Sequence, residues 1–227
     1  MAASGLTFVQ IVNRVLRRLR EDEVTNYNDN AYSTMISDLV NQVKTEIEES
    51  WQWHALRDTF QIVTTNNTSQ YALTGAGPRA TVLDAWNTTQ GYEVVQGTVR
   101  GFNFHFFGVG SSGVATGRPT EYIQAGVDSS YDVVVDVWPV PVTGQLDTLK
   151  LNAYVPQDDL AANATVPLVP QNVLIEEVIA RALAERGEEG AQQPQPGGDT
   201  FIRRDLLARA VMDDIAVDRT EADWEPE

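Results

Sequence analysis

A chain of 227 residues, 42% hydrophobic and 21% charged, can bury one sizeable core or two small ones and is too apolar to be disordered throughout. It has no cysteine and only two histidines, far apart at His54 and His105, which leaves neither a disulfide framework nor a set of His and Cys ligands at zinc spacing. The formal net charge of −16 argues against a nucleic-acid clamp, because neutralising phosphates takes clustered Lys and Arg.

The N-terminal MAASGLTFVQIVNRVLRRLR lacks the continuous apolar core of a signal peptide, and no apolar run approaches the roughly 20 residues that span a bilayer. The expectation is a soluble chain, not secreted by that route and without a membrane partner; the four Asn-x-Ser/Thr sites at Asn66, Asn67, Asn87 and Asn163 then carry no glycan. Thr7 with Gln10 forms a capping-box pattern, and Phe8, Ile11, Val12, Val15, Leu16 and Leu19 recur at helical spacing, which predicts a helix over 7–21. Arg14, Arg17, Arg18 and Arg20 lie mostly off that stripe, either as a solvated face or as contacts for an acidic neighbour. Asn26, Asn28 and Asn30 alternate as in the opening of a calcium loop, but Ala31 and Ser37 stand where that loop needs Gly and Glu. The segment is instead a helix start with Asn28 or Asp29 as N-cap. Tyr32, Ile36, Leu39, Val43, Ile47, Trp51 and His54 then step by three and four along a long second helix. Trp51 and Trp53 at its end cannot face the same way, and a Trp pair at such a corner is structural.

From Asp58 the period changes to two. Up to eight strands are predicted over 60–64, 70–73, 80–86, 92–96, 99–107, 120–124, 131–138 and 148–154, a density that points to an antiparallel sandwich or barrel. Between two of them lies GVGSSGVATGRP, residues 108–119, a loop without the Lys-Ser/Thr ending of a phosphate cradle and long enough to reach a partner. In YDVVVDVWPVPVTG, Val133, Val135 and Val137 mark a half-buried strand. Pro139 and Pro141 then end it, Thr143 and Gly144 turn the chain, and a hairpin partner follows over 148–154. Trp138 is expected to pack at the rim against the Pro141 turn. Pro170 at a first helical position and Gly187 as C-cap bound another helix, and GEEGAQQPQPGGD is a linker expected to be mobile in a free monomer. A last helix starts at Asp199 or Thr200, carries the stripe Ile202, Leu206, Ala210 and Val211, and gives way after Ile215 to an acidic tail bearing Trp224.

The sequence thus predicts an α+β fold: a discontinuous helical bundle domain, residues 1–56 plus 168–215, with an inserted antiparallel β-sandwich or barrel domain over 57–167. A linker covers 188–199 and an acidic tail 216–227. Nothing in it is a catalytic signature. Gly110-Ser111-Ser112-Gly113 has the wrong spacing for a nucleophile elbow, and the pairs Asp132 with Asp136 and Asp158 with Asp159 are accounted for by a solvated strand face and by a helix- or turn-flanking cluster. The expectation is a non-enzyme with no catalytic, cofactor-binding or metal site.

The Asp-x-Trp-Pro-x-Pro strand end at Asp136–Pro141 is followed by Tyr154-Val155-Pro156 and by a Leu168-Val169-Pro170 start to a helix ending Ala-Glu-Arg-Gly-Glu. With the long helix ending Glu48-Glu49-Ser50-Trp51-Gln52-Trp53, that order of features resembles the head-to-tail adaptor (connector) proteins of short-tailed bacteriophages, the tail tubular protein A type. The likeness runs from about Phe8 to Glu189. It implies a virion protein at the head-tail junction, made in the host cytoplasm, that forms a ring of twelve copies around the DNA channel. It also implies that the helical domain docks on the portal protein, the β-domain faces the tail tube or nozzle, and DNA passes without specific binding. On that basis Arg14, Arg17, Arg18, Phe201, Ile202, Leu206 and Trp224 are candidate portal contacts. Gly108, Gly110 and Gly113 form the tail-facing loop, while Trp51, Trp53, Trp138, Pro139 and Pro141 are structural. A rival from another class is a receptor- or carbohydrate-binding β-module with helical oligomerisation segments; a glycosidase with buried carboxylates comes third.

Overall fold

The computed structural model describes residues 5–108, 113–187 and 199–222, and within the last helix the side chains of 199–202, 204 and 217–222 lie outside the described set. The chain divides into two compact units, one made of residues 1–55 and 157–227, the other of Leu56–Pro156.

The first unit is helical. Helix α1, Phe8–Arg18, starts where Gln10 Oε1 accepts from the Thr7 amide and buries Phe8, Ile11, Val12, Val15 and Leu16. Fully burying each such side chain is worth roughly 1.5–3 kcal/mol, so the stripe and not helix propensity holds α1 in place. Helix α2, Ala31–Ser50, is capped by Asn30, whose Oδ1 accepts from the Ser33 amide at 2.8 Å while the Ser33 hydroxyl accepts from the Asn30 amide. The cap therefore sits one or two residues later than the sequence suggests, because Asp29 turns back to accept from the amides of Thr25 and Asn26. Those bonds to Asn26, first its backbone and then its side chain, hold the Asp29 carboxyl below its ordinary pKa. Helix α2 ends at Trp51, whose backbone is extended.

Beyond the second unit, residues 157–169 run against these helices: Asn41 exchanges hydrogen bonds with the backbone of Leu160, and the Phe8 amide donates to Thr165 O. Residues 157–167 of this stretch were expected with the β-domain and instead count with the helices. Helix α4, Gln171–Glu185, has Pro170 as its cap residue and not its first turn, and buries Val173, Leu174, Ile175, Val178 and Ile179. Gly187 follows its C-cap Arg186 with φ near +70°, the left-handed conformation that glycine adopts without a Cβ penalty. Helix α5, Asp199–Ala222, packs along α4 and continues past Ile215, so residues 216–222 are helix and not tail.

Among its described residues the second unit holds eight strands, β1 Arg57–Val63, β2 Gln70–Ala72, β3 Thr81–Asn87, β4 Tyr92–Glu93, β5 Val95–Gln96, β6 Glu121–Val127, β7 Val133–Trp138 and β8 Thr148–Tyr154, and one α-helix, α3, Val99–Phe107. The strands form two four-stranded sheets, ordered β1-β8-β3-β4 and β2-β7-β6-β5. The first is antiparallel, with β8 between β1 and β3; in the second, β5 runs parallel to β6, so that sheet is mixed. The class is α+β, as expected, with four differences, the first being the parallel β5–β6 pair in a domain predicted to be antiparallel. The predicted strand over 99–107 is a helix. The run 92–96 splits into β4 and β5, one in each sheet. And β7 and β8 are not a hairpin: they belong to different sheets, because Pro139 and Pro141 have no amide to donate and the chain leaves one sheet before joining the other. One hydrophobic cluster draws on both sheets, with Ile62, Val82, Leu149 and Leu151 from the first and Tyr122, Val133, Val135 and Val137 from the second.

Candidate functional site

In the helical unit, the α1 arginines are on the outer surface. Arg17 lies 3.3 Å from Glu23 and Arg18 lies 3.6 Å from Glu176, pairs with about 60% of each arginine side chain still open to solvent, and Arg14 is exposed as well. Exposed pairs of this kind hold a guanidinium weakly, at about 0–1 kcal/mol, so all three remain available to an acidic partner.

Two described contacts tie helix α5 to the rest of its unit. Near its start Arg203 meets Glu177 of α4 at 2.9 Å, and further on Asp214 accepts from Trp51 Nε1 at 2.8 Å and lies 3.1 Å from His54 Nδ1. The corner at the end of α2 thus sorts its two tryptophans: Trp51 holds α5, while Trp53 is buried and donates to Ile47 O. Of the proposed portal contacts on α5, Leu206 is half-buried; the side chains of Phe201 and Ile202, and Trp224 altogether, lie outside the described residues. A cavity of about 290 Å³ between α2, α4 and α5 is lined by Val43, Ile47, Val173 and Leu207 with Glu46, Glu177 and Arg203 at its polar side. A second groove, about 400 Å³, lies among Trp53, Leu168, Pro170, Ala210 and Asp213.

The helical unit is also joined by charge. Lys44 and Glu48, both fully buried, meet at 3.0 Å; Lys44 also donates to Gln157 O, and the Gln157 amide donates to Glu48. Arg181 forks onto Glu46 from across the bundle and also meets Glu177, and the hydrogen bond from Arg181 holds the Glu46 carboxyl below its ordinary pKa. These residues bind each other, and among the described residues no group of His, Asp and Glu could hold a metal ion.

In the β-unit, the loop predicted to face the tail begins at Gly108, whose amide caps α3 on Phe104 O; Gly113 has φ near +76°, and Gly110 lies outside the described residues. Helix α3 itself was missed by sequence reasoning. Its signals were Thr98, which caps it by accepting from the Gly101 amide, and the helical spacing of Phe102 and Phe106, whose rings stack at 6.0 Å. It leaves Val99, Phe104 and Phe107 exposed, at 64%, 65% and 82%. Trp138 stacks on His105 of this helix at 3.9 Å, and His105 Nε2 stands 3.7 Å from Glu121. Pro139 follows Trp138 through a cis peptide bond, and Pro141 is buried with its carbonyl accepting from the Asn67 amide. Asp132 accepts from the amides of Gly75 and Gly77, which makes it a loop support; Asp136 is half-buried, and burial raises its pKa.

Among the described residues, what both units offer is exposed surface. A family model described as SU10 adaptor protein matches residues 6–224, nearly the whole chain and both units. The chain belongs to this family of phage head-to-tail adaptors. Comparison with the curated proteins gives no match. The adaptor is accordingly a structural component of the virion at the head-tail junction, and it associates with other head and tail components.

Proposed function

We propose that this adaptor is of the tail tubular protein A type. It forms a ring, with twelve copies as the resemblance implies, between the portal and the tail tube or nozzle, and performs no catalysis. The observation that carries the proposal is the family match over both units of a chain whose two ends build one helical unit around an intervening β-unit. In this reading the helical unit docks on the portal through Arg14, Arg17 and Arg18 and through the last helix with Phe201, Ile202, Leu206 and Trp224. The β-unit, read as an inserted sandwich on the strength of its shared two-sheet core, presents Gly108–Gly113 to the tail. The exposed, weakly paired arginines support the first assignment and the acid-free loop the second.

Charge supports the channel role. A net −16 per subunit, repeated around a ring, repels the phosphate backbone, and with the α1 arginines assigned to the portal in this reading few cations are left for counterion release to act through. DNA then slides. Electron microscopy of the protein mixed with its portal tests the whole reading: rings stacked coaxially on the portal are expected, with no adaptor on the portal after deletion of residues 188–227. Isolated trimers that bind glycans, with no portal rings, would favour the receptor-binding reading.

A further inference from the structure

Two apolar surfaces have no partner among the described residues of their own units. One is the outer face of α3. At 3.6 residues per turn, Phe102, His105 and Phe106 share the inner side, while Val99, Arg100, Asn103, Phe104 and Phe107 fall together on the other. Val99, Phe104 and Phe107 are all more than 60% exposed, and Arg100 makes no ion pair among the described residues. The other is the groove of about 400 Å³ in the helical unit, with Leu168, Pro170 and Ala210 on its wall, Leu168 47% exposed, and Asp213 exposed at its edge.

We propose that the outer face of α3 docks into the Leu168–Ala210 groove of a second copy of this chain, with Phe104 and Phe107 in the groove and Arg100 against Asp213. The proposal rests on the ring reading and gives that ring its lateral contact.

Charge selects the occupant. Thirty-two Asp and Glu against sixteen Lys and Arg make most surfaces of one copy repel another, yet from Val94 to Thr120 the sequence has no acid and carries Arg100 and Arg118. Arg118 is engaged with Gln90 and Asp147, which leaves Arg100 as the cation of this surface. An acid-free aromatic face flanked by one arginine suits an apolar groove edged by an aspartate, and copies of the chain are a source of that groove at the same concentration as the helix. A foreign partner for α3 would account for one of the two surfaces; a second copy accounts for both.

Symmetry follows from the geometry. The two patches differ and lie in different units, so the contact is head-to-tail: each copy offers a helix to one neighbour and a groove to the other, and such contacts close into rings when the rotation permits. Burying two phenylalanines that each bring 150–250 Å² of surface supplies the anchor such an interface needs, and the Arg100–Asp213 pair at its rim supplies register more than affinity.

The cysteine-free sequence makes the test direct. Full-length Asn103→Cys/Met212→Cys, both exposed positions that spare the proposed anchors, is treated with a short bismaleimide, alone and after assembly on the portal. A ladder at multiples of the 25.0 kDa chain mass is expected, and neither single variant should extend beyond a dimer. Arg100→Glu should reduce ring formation at least tenfold and Arg100→Glu/Asp213→Lys should restore it. Portal-bound rings with no ladder, a cross-link confined within one chain, attachment of position 103 to portal or tail protein, or full assembly by Arg100→Glu would each overturn the proposal while leaving the ring reading intact. If the parent protein forms no ring on the portal, the ring reading fails, and the proposal with it.

Discussion

The helical unit and the β-unit solve the same problem, how to define one arrangement, by different means. The β-unit relies on alternation. Val133, Val135 and Val137, fully buried, meet Ile62, Leu149 and Leu151 in one cluster, and a slip of one residue would turn that face to solvent. The helical unit is assembled from two chain segments with about a hundred residues between them, and an apolar stripe alone tolerates rotation and sliding. Its register is set by polar contacts across that gap: Lys44 and Glu48 on Gln157, Asn41 on Leu160, Asp214 on Trp51, Arg181 on Glu46. Buried charge is a poor source of net stability but a sharp source of specificity, and here it is concentrated where sequence-distant pieces must find each other.

The strongest way to break the contrast is Lys44→Ala, which strands a fully buried Glu48 and should cost about 3–5 kcal/mol by urea unfolding. Lys44→Met/Glu48→Leu should recover only part of that loss, because both partners of the Gln157 backbone disappear together; full recovery would mean that the pair is ordinary packing. In the β-unit, Leu151→Ala should cost about 2–5 kcal/mol through its cavity, and hydrogen exchange should show the loss in the strands of Leu56–Pro156 and little in α1 and α4. Exchange rising equally in both units would erase the distinction. Next in size, Asp214→Ala removes the acceptor of Trp51 and should speed exchange along α5 at a cost of about 1–3 kcal/mol, leaving the β-unit untouched. The smallest effect is one of sign. Glu46 has its pKa lowered, so its contribution is present above its unfolded value near 4.5 and fades as the pH falls through the lower folded value. Asp136 has its pKa raised by burial, so its charge is a cost at neutral pH that is relieved as the pH falls through the raised folded value towards the ordinary 3.8. Acid should therefore loosen the helical unit through Glu46 and ease the β-unit through Asp136. Glu46→Gln and Asp136→Asn, followed by urea titration between about pH 7 and 3, should flatten opposite slopes; slopes of the same sign would refute the assignment.

What the sequence showed and what it hid follow the same division. Helices α1, α2 and α4 were legible because their stripes are long and periodic, and strands β3, β6, β7 and β8 because alternation is local. Helix α3 was not: Phe102, Phe104 and Phe106 alternate as a strand would, in a segment rich in residues that favour strands, and only packing of Phe102 and His105 inside the β-unit decides for a helix. That β7 and β8 sit in different sheets was equally hidden, since alternation identifies a strand and says nothing of its neighbour. The arginines of α1 could be placed on a surface from their spacing. The Asp214 contact, bridging 163 residues, and the groove beside it could not, because no local pattern encodes which distant side chain will answer Trp51.

One further consequence lies in the pairing of the first and last strands of the β-unit. Arg57 stands opposite Tyr154, and the Val155 amide donates to Leu56 O at 2.7 Å, so the chain leaves for the β-unit and returns from it through adjacent positions. Paired strand positions lie roughly 5 Å apart, a gap that two or three glycines can bridge. Replacing everything between those points by another domain with neighbouring termini is therefore expected to cost the helical unit little in loop-closure entropy. A lineage of such proteins could thereby refit its contacts on one side while preserving those on the other, and grafting a foreign β-domain between Leu56 and Val155 is the laboratory counterpart of that exchange.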